Sequence, residues 1–294
     1  MLADLVEVTT SDDILLHGAY FAPTVADRPC SIDALCFFHG DTGHFYRRLY
    51  LELGARLAAH GVACLSANRR GHDIVANGAR GGSLQGYAHE SVEQSRLDYA
   101  TWLTWLRARG HSTVALGGHS GGAVRAVYAQ STAHFEDVAA VVAVSPGEYN
   151  HRGLIDLHGD AFVNTYSQAQ AHVAQGQPEV YLRPGMPFGA TWSASAFVDC
   201  FNVDNRYSVS ARAAHTGCPT LCVFGAEECR GPQELPLCGA AMRRLRETAY
   251  PHVTVEVIDG ANHGYEHREL ALFETIMTWL ASACPRSATS SPTT

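Results

Sequence analysis

Three residue types recur here at positions where they could perform one reaction. Ser120 lies in Gly118-His119-Ser120-Gly121-Gly122, a Gly-x-Ser-x-Gly pattern. In such a turn a strained serine hydroxyl is lifted above the end of a strand, and glycines keep the neighbouring backbone clear. A serine hydroxyl is a weak nucleophile at neutral pH. It needs a histidine to take its proton and an acid to hold that histidine in the right tautomer. Downstream, Gly225-Ala226-Glu227-Glu228 offers two adjacent carboxylates, and Gly260-Ala261-Asn262-His263-Gly264 offers a histidine. Glu228 is preferred to Glu227 as the orienting acid, with Glu227 then a solvated surface charge. Ser120 is read as nucleophile and His263 as base. A tetrahedral intermediate would also need donors for its oxyanion. These are assigned to the backbone N–H groups of Gly121 and of Asp41, in His39-Gly40-Asp41-Thr42-Gly43. An inward Asp41 carboxylate would oppose the oxyanion, so its side chain is expected to turn outward and cap the next helix.

The elements that must position these residues alternate. Ala34-Leu35-Cys36-Phe37-Phe38 and 138–144 are continuous apolar runs, as expected of strands buried on both faces of a parallel sheet, and 62–66, 114–117, 219–225 and 253–258 read as further strands. Between them lie helical patterns: Leu49, Leu53 and Leu57 at spacing four, then a helix over 90–109 with Tyr99, Trp102, Leu103 and Leu106 on one face. Further helices follow the serine, span 237–249, and carry Phe273, Ile276, Met277 and Leu280. Residues 5–9 and 14–21 read as a hairpin, and 74–89 as a Gly-rich loop. The alternation breaks over 147–216, which holds Tyr149, Phe162, Tyr166, Tyr181, Phe188, Trp192, Phe197 and Phe201. A structureless loop of that length is improbable, so the segment is read as a mostly helical cap over the site. The expected division is a core of 1–146 and 217–284, a cap of 147–216, and a disordered Ser/Thr/Pro-rich tail of 285–294.

Taken together, His-Gly at 39–40, Arg-Gly at 70–71, the serine turn, the strand before Gly225, and His263 resemble the α/β-hydrolase superfamily along nearly the whole chain. That resemblance implies an α/β fold with a mostly parallel central sheet, helices on both faces and an inserted cap. It also implies the chain order serine, acid, histidine, each after a strand. One departure is the acid, since aspartate more often stands where Glu228 does. Trp192-Ser193-Ala194-Ser195-Ala196-Phe197 and Asn205-Arg206-Tyr207 resemble a branch that includes esterases acting on siderophore esters. The second resemblance leans towards hydrolysis of a carboxylic ester, lactones and thioesters included, of a small organic molecule through an acyl-enzyme. The alternatives are an amidase or C–C hydrolase with the same triad, or a non-hydrolytic acyltransferase or cyclase.

His44, His119, Tyr149 and Trp192 are candidate pocket residues. His39 is read as a structural brace. Arg69-Arg70 is read as a loop brace paired to carboxylates, with binding of a substrate anion as the alternative. Net charge is 21 − 29 = −8 without a basic block, which speaks against nucleic acid and anionic membrane as partners. No apolar run reaches the ~20 residues of a membrane span, and the acidic N-terminus is not a signal peptide. Nine cysteines, several in apolar runs, suggest reduced thiols and a cytoplasmic location. The sixteen histidines contain no His-Glu-x-x-His, so neither a metal nor another cofactor is expected.

Overall fold

The computed structural model describes residues 2–77, 84–182, 191–230 and 234–286. Its main sheet has eight strands. They are β1 (Asp4–Thr9), β2 (Leu15–Phe21), β3 (Ala34–Phe38), β4 (Ala63–Ala67), β7 (Val114–His119), β8 (Val138–Val144), β9 (Thr220–Gly225) and β10 (Val253–Ile258), in spatial order β1-β2-β4-β3-β7-β8-β9-β10. From β4 to β10 neighbours pair in parallel. The β1–β2 hairpin is antiparallel, and β2 joins β4 antiparallel. A small antiparallel pair, β5 (Ala76–Asn77) and β6 (Leu84–Gln85), lies apart, within the segment read as loop.

Period-two alternation sorts each strand between two cores. From β3, Ala34, Cys36 and Phe38 enter one cluster, while Leu35 and Phe37 enter the other. The first face is covered by α2 (Ser95–Ala108), α3 (Gly121–Ala133) and α9 (Pro236–Thr248). The second is covered by α1 (Arg48–Ala59) and α10 (Glu269–Ala283). All four apolar residues marked on α2 are buried, and Trp102 Nε1 donates to the Asn68 carbonyl at 2.9 Å. The helix begins later than the sequence pattern, at Ser95 rather than 90. Glu90 is extended instead, with φ −70° and ψ 130°, and its carboxylate is buried against Arg69 and Arg125.

Between β8 and β9 the chain forms α4 (His151–His158), α5 (Asp160–Ala174), α6 (Ala194–Cys200) and α7 (Val209–Arg212). Short polar side chains start three of them. Asn150, Ser193 and Ser208 accept from the N–H groups of Gly153, Ala196 and Ala211. The aromatics of this segment mostly pack on one another. Phe162, Tyr166, Phe197, Phe201 and Trp192 form a buried cluster, with Trp192 and Phe201 centroids 5.2 Å apart. Phe188 and most of the proposed tail lie outside the described residues. All nine cysteines are free. Among the described residues no helix is long and apolar enough to cross a membrane.

Candidate active site

Ser120 stands between β7 and α3 with φ 55° and ψ −124°, a backbone state that costs a non-glycine residue about 1–3 kcal/mol. Hydrogen bonds fix it from both sides. Its N–H donates to the Val144 carbonyl at 2.8 Å, and its own carbonyl accepts from Ala123 and Val124. The flanking glycines are required by close approach. A Cβ on Gly118 would lie 2.6 Å from the Gly122 backbone, and one on Gly122 would strike the His39 carbonyl.

The other two residues arrive from neighbouring strand ends. His263, after β10, places Nε2 3.0 Å from Ser120 Oγ. Its Nδ1 lies 2.5 Å from Glu228 Oε2. Glu228 belongs to α8 (Ala226–Cys229), a single turn directly after β9, and its side chain is fully buried. The Glu228 Oε1 atom accepts from the Gly225 N–H at 2.7 Å and from the Ser145 hydroxyl at 2.6 Å. Tyr265 OH lies 2.9 Å from Ser145 Oγ. A buried carboxylate is thus satisfied on both oxygens, as burial of a charge demands. Glu227 is half-buried and makes no side-chain hydrogen bond among the described residues. Sequence reasoning missed Ser145 and Tyr265, although Ser145 follows a strand end and Tyr265 lies two residues past His263.

Gly121 is the first residue of α3, where an N–H has no intrahelical acceptor and the helix dipole favours negative charge. Asp41 lies in the Gly40–Gly43 turn, closed by a 3.1 Å hydrogen bond, with Thr42 at φ 57°. Its side chain departs from the expected capping role. The α1 helix has Arg47 at its N-cap and no side-chain cap. The Asp41 carboxylate turns inward instead. Oδ1 accepts from Arg69 at 2.8 Å and Arg125 at 3.2 Å, and Oδ2 accepts from the Tyr149 hydroxyl at 2.9 Å. Glu90 pairs with both arginines, Arg125 at 2.7 Å. Two cations therefore face two anions, and the negative charge beside the serine is neutralised. Arg69 and Arg70 are buried braces, with Arg70 held by Asp12 and Asp98, so neither is free to bind a substrate anion.

A cavity of about 270 Å³ opens over the serine. Its walls include Asp41, Tyr87, Tyr149, Leu235, Leu237 and Cys238 besides Ser120, Gly121 and His263. Of the candidate pocket residues, Tyr149 lines it. Trp192 does not; it is 1% exposed inside the aromatic cluster, its ring tilted against Tyr87 with centroids 4.4 Å apart. His44 stacks on Tyr46 at 3.5 Å, away from the cavity walls. His119 is turned beneath the site. Its Nε2 donates to the His263 carbonyl at 2.7 Å, and its Nδ1 accepts from Tyr50 OH at 3.1 Å. Tyr50 in turn accepts from the Gly40 N–H at 3.2 Å. One imidazole so ties the histidine loop to the loop of Asp41. Cys238 Sγ lies 3.9 Å from His263 Nδ1. Glu228, Cys238 and His263 bring metal-type donor atoms within 4.8 Å, with the carboxylate and imidazole bonded to each other.

Burial holds the His119 imidazole well below its ordinary value, with His263 adding to the effect. His39, whose Nδ1 donates to the Gly40 carbonyl at 2.7 Å, is lowered likewise by burial and then by Arg69. Above pH 6.5 both are neutral in the folded and unfolded chain. Below it the unfolded chain takes up protons that the folded one refuses, so stability present above pH 6.5 is lost as pH falls. Each histidine contributes a slope of about 1.4 kcal/mol per pH unit. Urea unfolding at pH 7 and pH 5 should show this loss, and His119→Gln should flatten it; an unchanged slope in that variant would contradict the assignment.

Neither a family model nor a curated protein matches the chain. Solved structures do. Est1E from Butyrivibrio proteoclasticus, with ferulic acid bound, matches at TM-score 0.64 and 16% identity over 95% of this chain and 98% of that one. The α/β hydrolase GrgF from Penicillium sp. sh18 matches at TM-score 0.68 and 15% identity over 97% and 100%. A monoacylglycerol lipase from Paleococcus ferrophilus matches at TM-score 0.65 and 19% identity over 91% and 99%. With its mostly parallel eight-stranded sheet and helices on both faces, this chain has the α/β-hydrolase fold.

Proposed function

We propose that the protein is a serine hydrolase that cleaves a carboxylic ester of a small organic molecule. The observation that carries this reading is the unbroken relay from Ser120 Oγ to His263 Nε2 at 3.0 Å and from His263 Nδ1 to Glu228 at 2.5 Å. In this reading Ser120 attacks the ester carbonyl while His263 takes its proton. Glu228 holds the imidazole with Nδ1 protonated and stabilises the imidazolium that forms. The Gly121 and Asp41 N–H groups receive the oxyanion. His263 then passes its proton to the departing alkoxide, leaving an acyl-serine. Water, deprotonated by the same imidazole, attacks the acyl-serine, and the imidazolium returns that proton to Ser120 Oγ as the carboxylic acid leaves. The fold alone does not select a substrate. The likeness to a monoacylglycerol lipase supports an ester rather than another bond, and a cavity of about 270 Å³ suits a short acyl group.

The test compares p-nitrophenyl butyrate with the p-nitroanilide of butyric acid. The ester should turn over and yield free butyrate, with little or no cleavage of the anilide. Equal or faster cleavage of the anilide would replace the ester reading with an amidase.

A further inference from the structure

The hydrolytic reading leaves one end of the cavity without a task. Asp41, Tyr87 and Tyr149 line that end beside Gly121. The Tyr149 hydroxyl spends its proton on Asp41 and retains lone pairs that can accept. Tyr87 is 1% exposed overall and lines the cavity, and no side-chain hydrogen bond holds its hydroxyl among the described residues. A phenol at a cavity wall with no protein partner takes its hydrogen bond from whatever fills the cavity. Burial, followed by the nearby Asp41 carboxylate, holds both phenols well above their ordinary value, so both keep their protons.

Position decides which part of an ester reaches this end. A Cβ on Gly121 would collide with the Asp41 carboxylate, so the polar end adjoins the oxyanion side of the serine. The apolar wall of Leu235, Pro236, Leu237 and Cys238 stands with His263 in the cavity lining, Cys238 Sγ lying 3.9 Å from Nδ1, and Nε2 of that ring is the atom that must protonate a leaving alkoxide. An ester bound for attack therefore directs its acyl chain towards Asp41, Tyr87 and Tyr149.

Resting on the ester-hydrolase reading above, we propose that Asp41, Tyr87 and Tyr149 form an acyl subsite selecting a hydroxyl close to the ester carbonyl, making esters of short hydroxy acids the preferred substrates. A hydroxyl donates to the carboxylate and accepts from the free phenol at once. An ammonium group fits less well, since Arg69 and Arg125 already balance Asp41 and Glu90 and would repel a third cation.

The test measures kcat/KM for ethyl butyrate, ethyl 2-hydroxybutyrate, ethyl 3-hydroxybutyrate and ethyl 3-aminobutyrate. The wild type, Tyr87→Phe and Tyr149→Phe are compared through ratios within each protein, which do not depend on the fraction folded. In the wild type at least one hydroxy ester should exceed butyrate about tenfold, the worth of one well-made hydrogen bond. Tyr87→Phe should remove most of that ratio. Equal turnover of all four esters would overturn the subsite while leaving the hydrolase reading intact. A hydroxyl preference that survives both phenylalanine variants, or a preference for the amino ester, would overturn it as well. Failure to turn over any ester would overturn the hydrolase reading itself.

Discussion

Ser120→Ala should reduce turnover of p-nitrophenyl butyrate by about 10⁴-fold or more, close to the uncatalysed rate. Losses of that size, roughly 5.5 kcal/mol of transition-state stabilisation, follow from removing the atom that forms the covalent intermediate. Among the described residues no other hydroxyl hydrogen-bonds His263 Nε2. Stability should change little, because alanine meets the same φ of 55° at the same turn and fills no new space. Coincident urea transitions for variant and wild type would assign the loss to chemistry rather than unfolding. Residual activity within tenfold of wild type would place the nucleophile elsewhere.

Glu228→Gln is the second large effect, on the order of 10³–10⁴ in kcat, against a change of only a few-fold for Glu227→Gln. A glutamine amide cannot both accept from His263 Nδ1–H and hold the positive charge that develops on the ring. Where its NH₂ group faces Nδ1, it favours the tautomer with the proton on Nε2, which cannot serve as the base. The Gly225 N–H and Ser145 hydroxyl, which now converge on Glu228 Oε1, would fix the amide oxygen on their side and turn NH₂ towards the imidazole. The Glu227 side chain has no such partners among the described residues. Steady-state kinetics on both variants reads this directly, and a greater loss in Glu227→Gln would exchange the two roles.

The parts of the site that could be read from the chain are those whose placement is local. A strand ends, a glycine stands at or just past its end, and a reactive residue follows within a few positions, even where the strand is the half-buried edge strand β10. Ser120, Glu228 and His263 all have that form, and the parallel strands bring their ends together. The direction of a side chain depends on partners far away in sequence. Asp41 is expected to face outward because an inward carboxylate would oppose the oxyanion, and nothing near it in sequence supplies a counter-charge. It is turned inward by Arg69, Arg125 and Tyr149, which are 28, 84 and 108 residues distant. Trp192 and His119 sit where pocket residues could stand, yet a neighbouring aromatic cluster claims one and two loops claim the other. Helix α2 starts late for the same reason, since Glu90 answers two distant cations in place of the helical pattern.

The central claim is that Ser120 is an activated nucleophile within reach of a substrate, and covalent labelling tests it most directly. The intact protein should react with a fluorophosphonate probe, and peptide mapping by mass spectrometry should place one adduct on Ser120. That adduct should be lost in Ser120→Ala and sharply slowed in Glu228→Gln. An adduct on a different residue, or no adduct on a folded protein, would contradict the account.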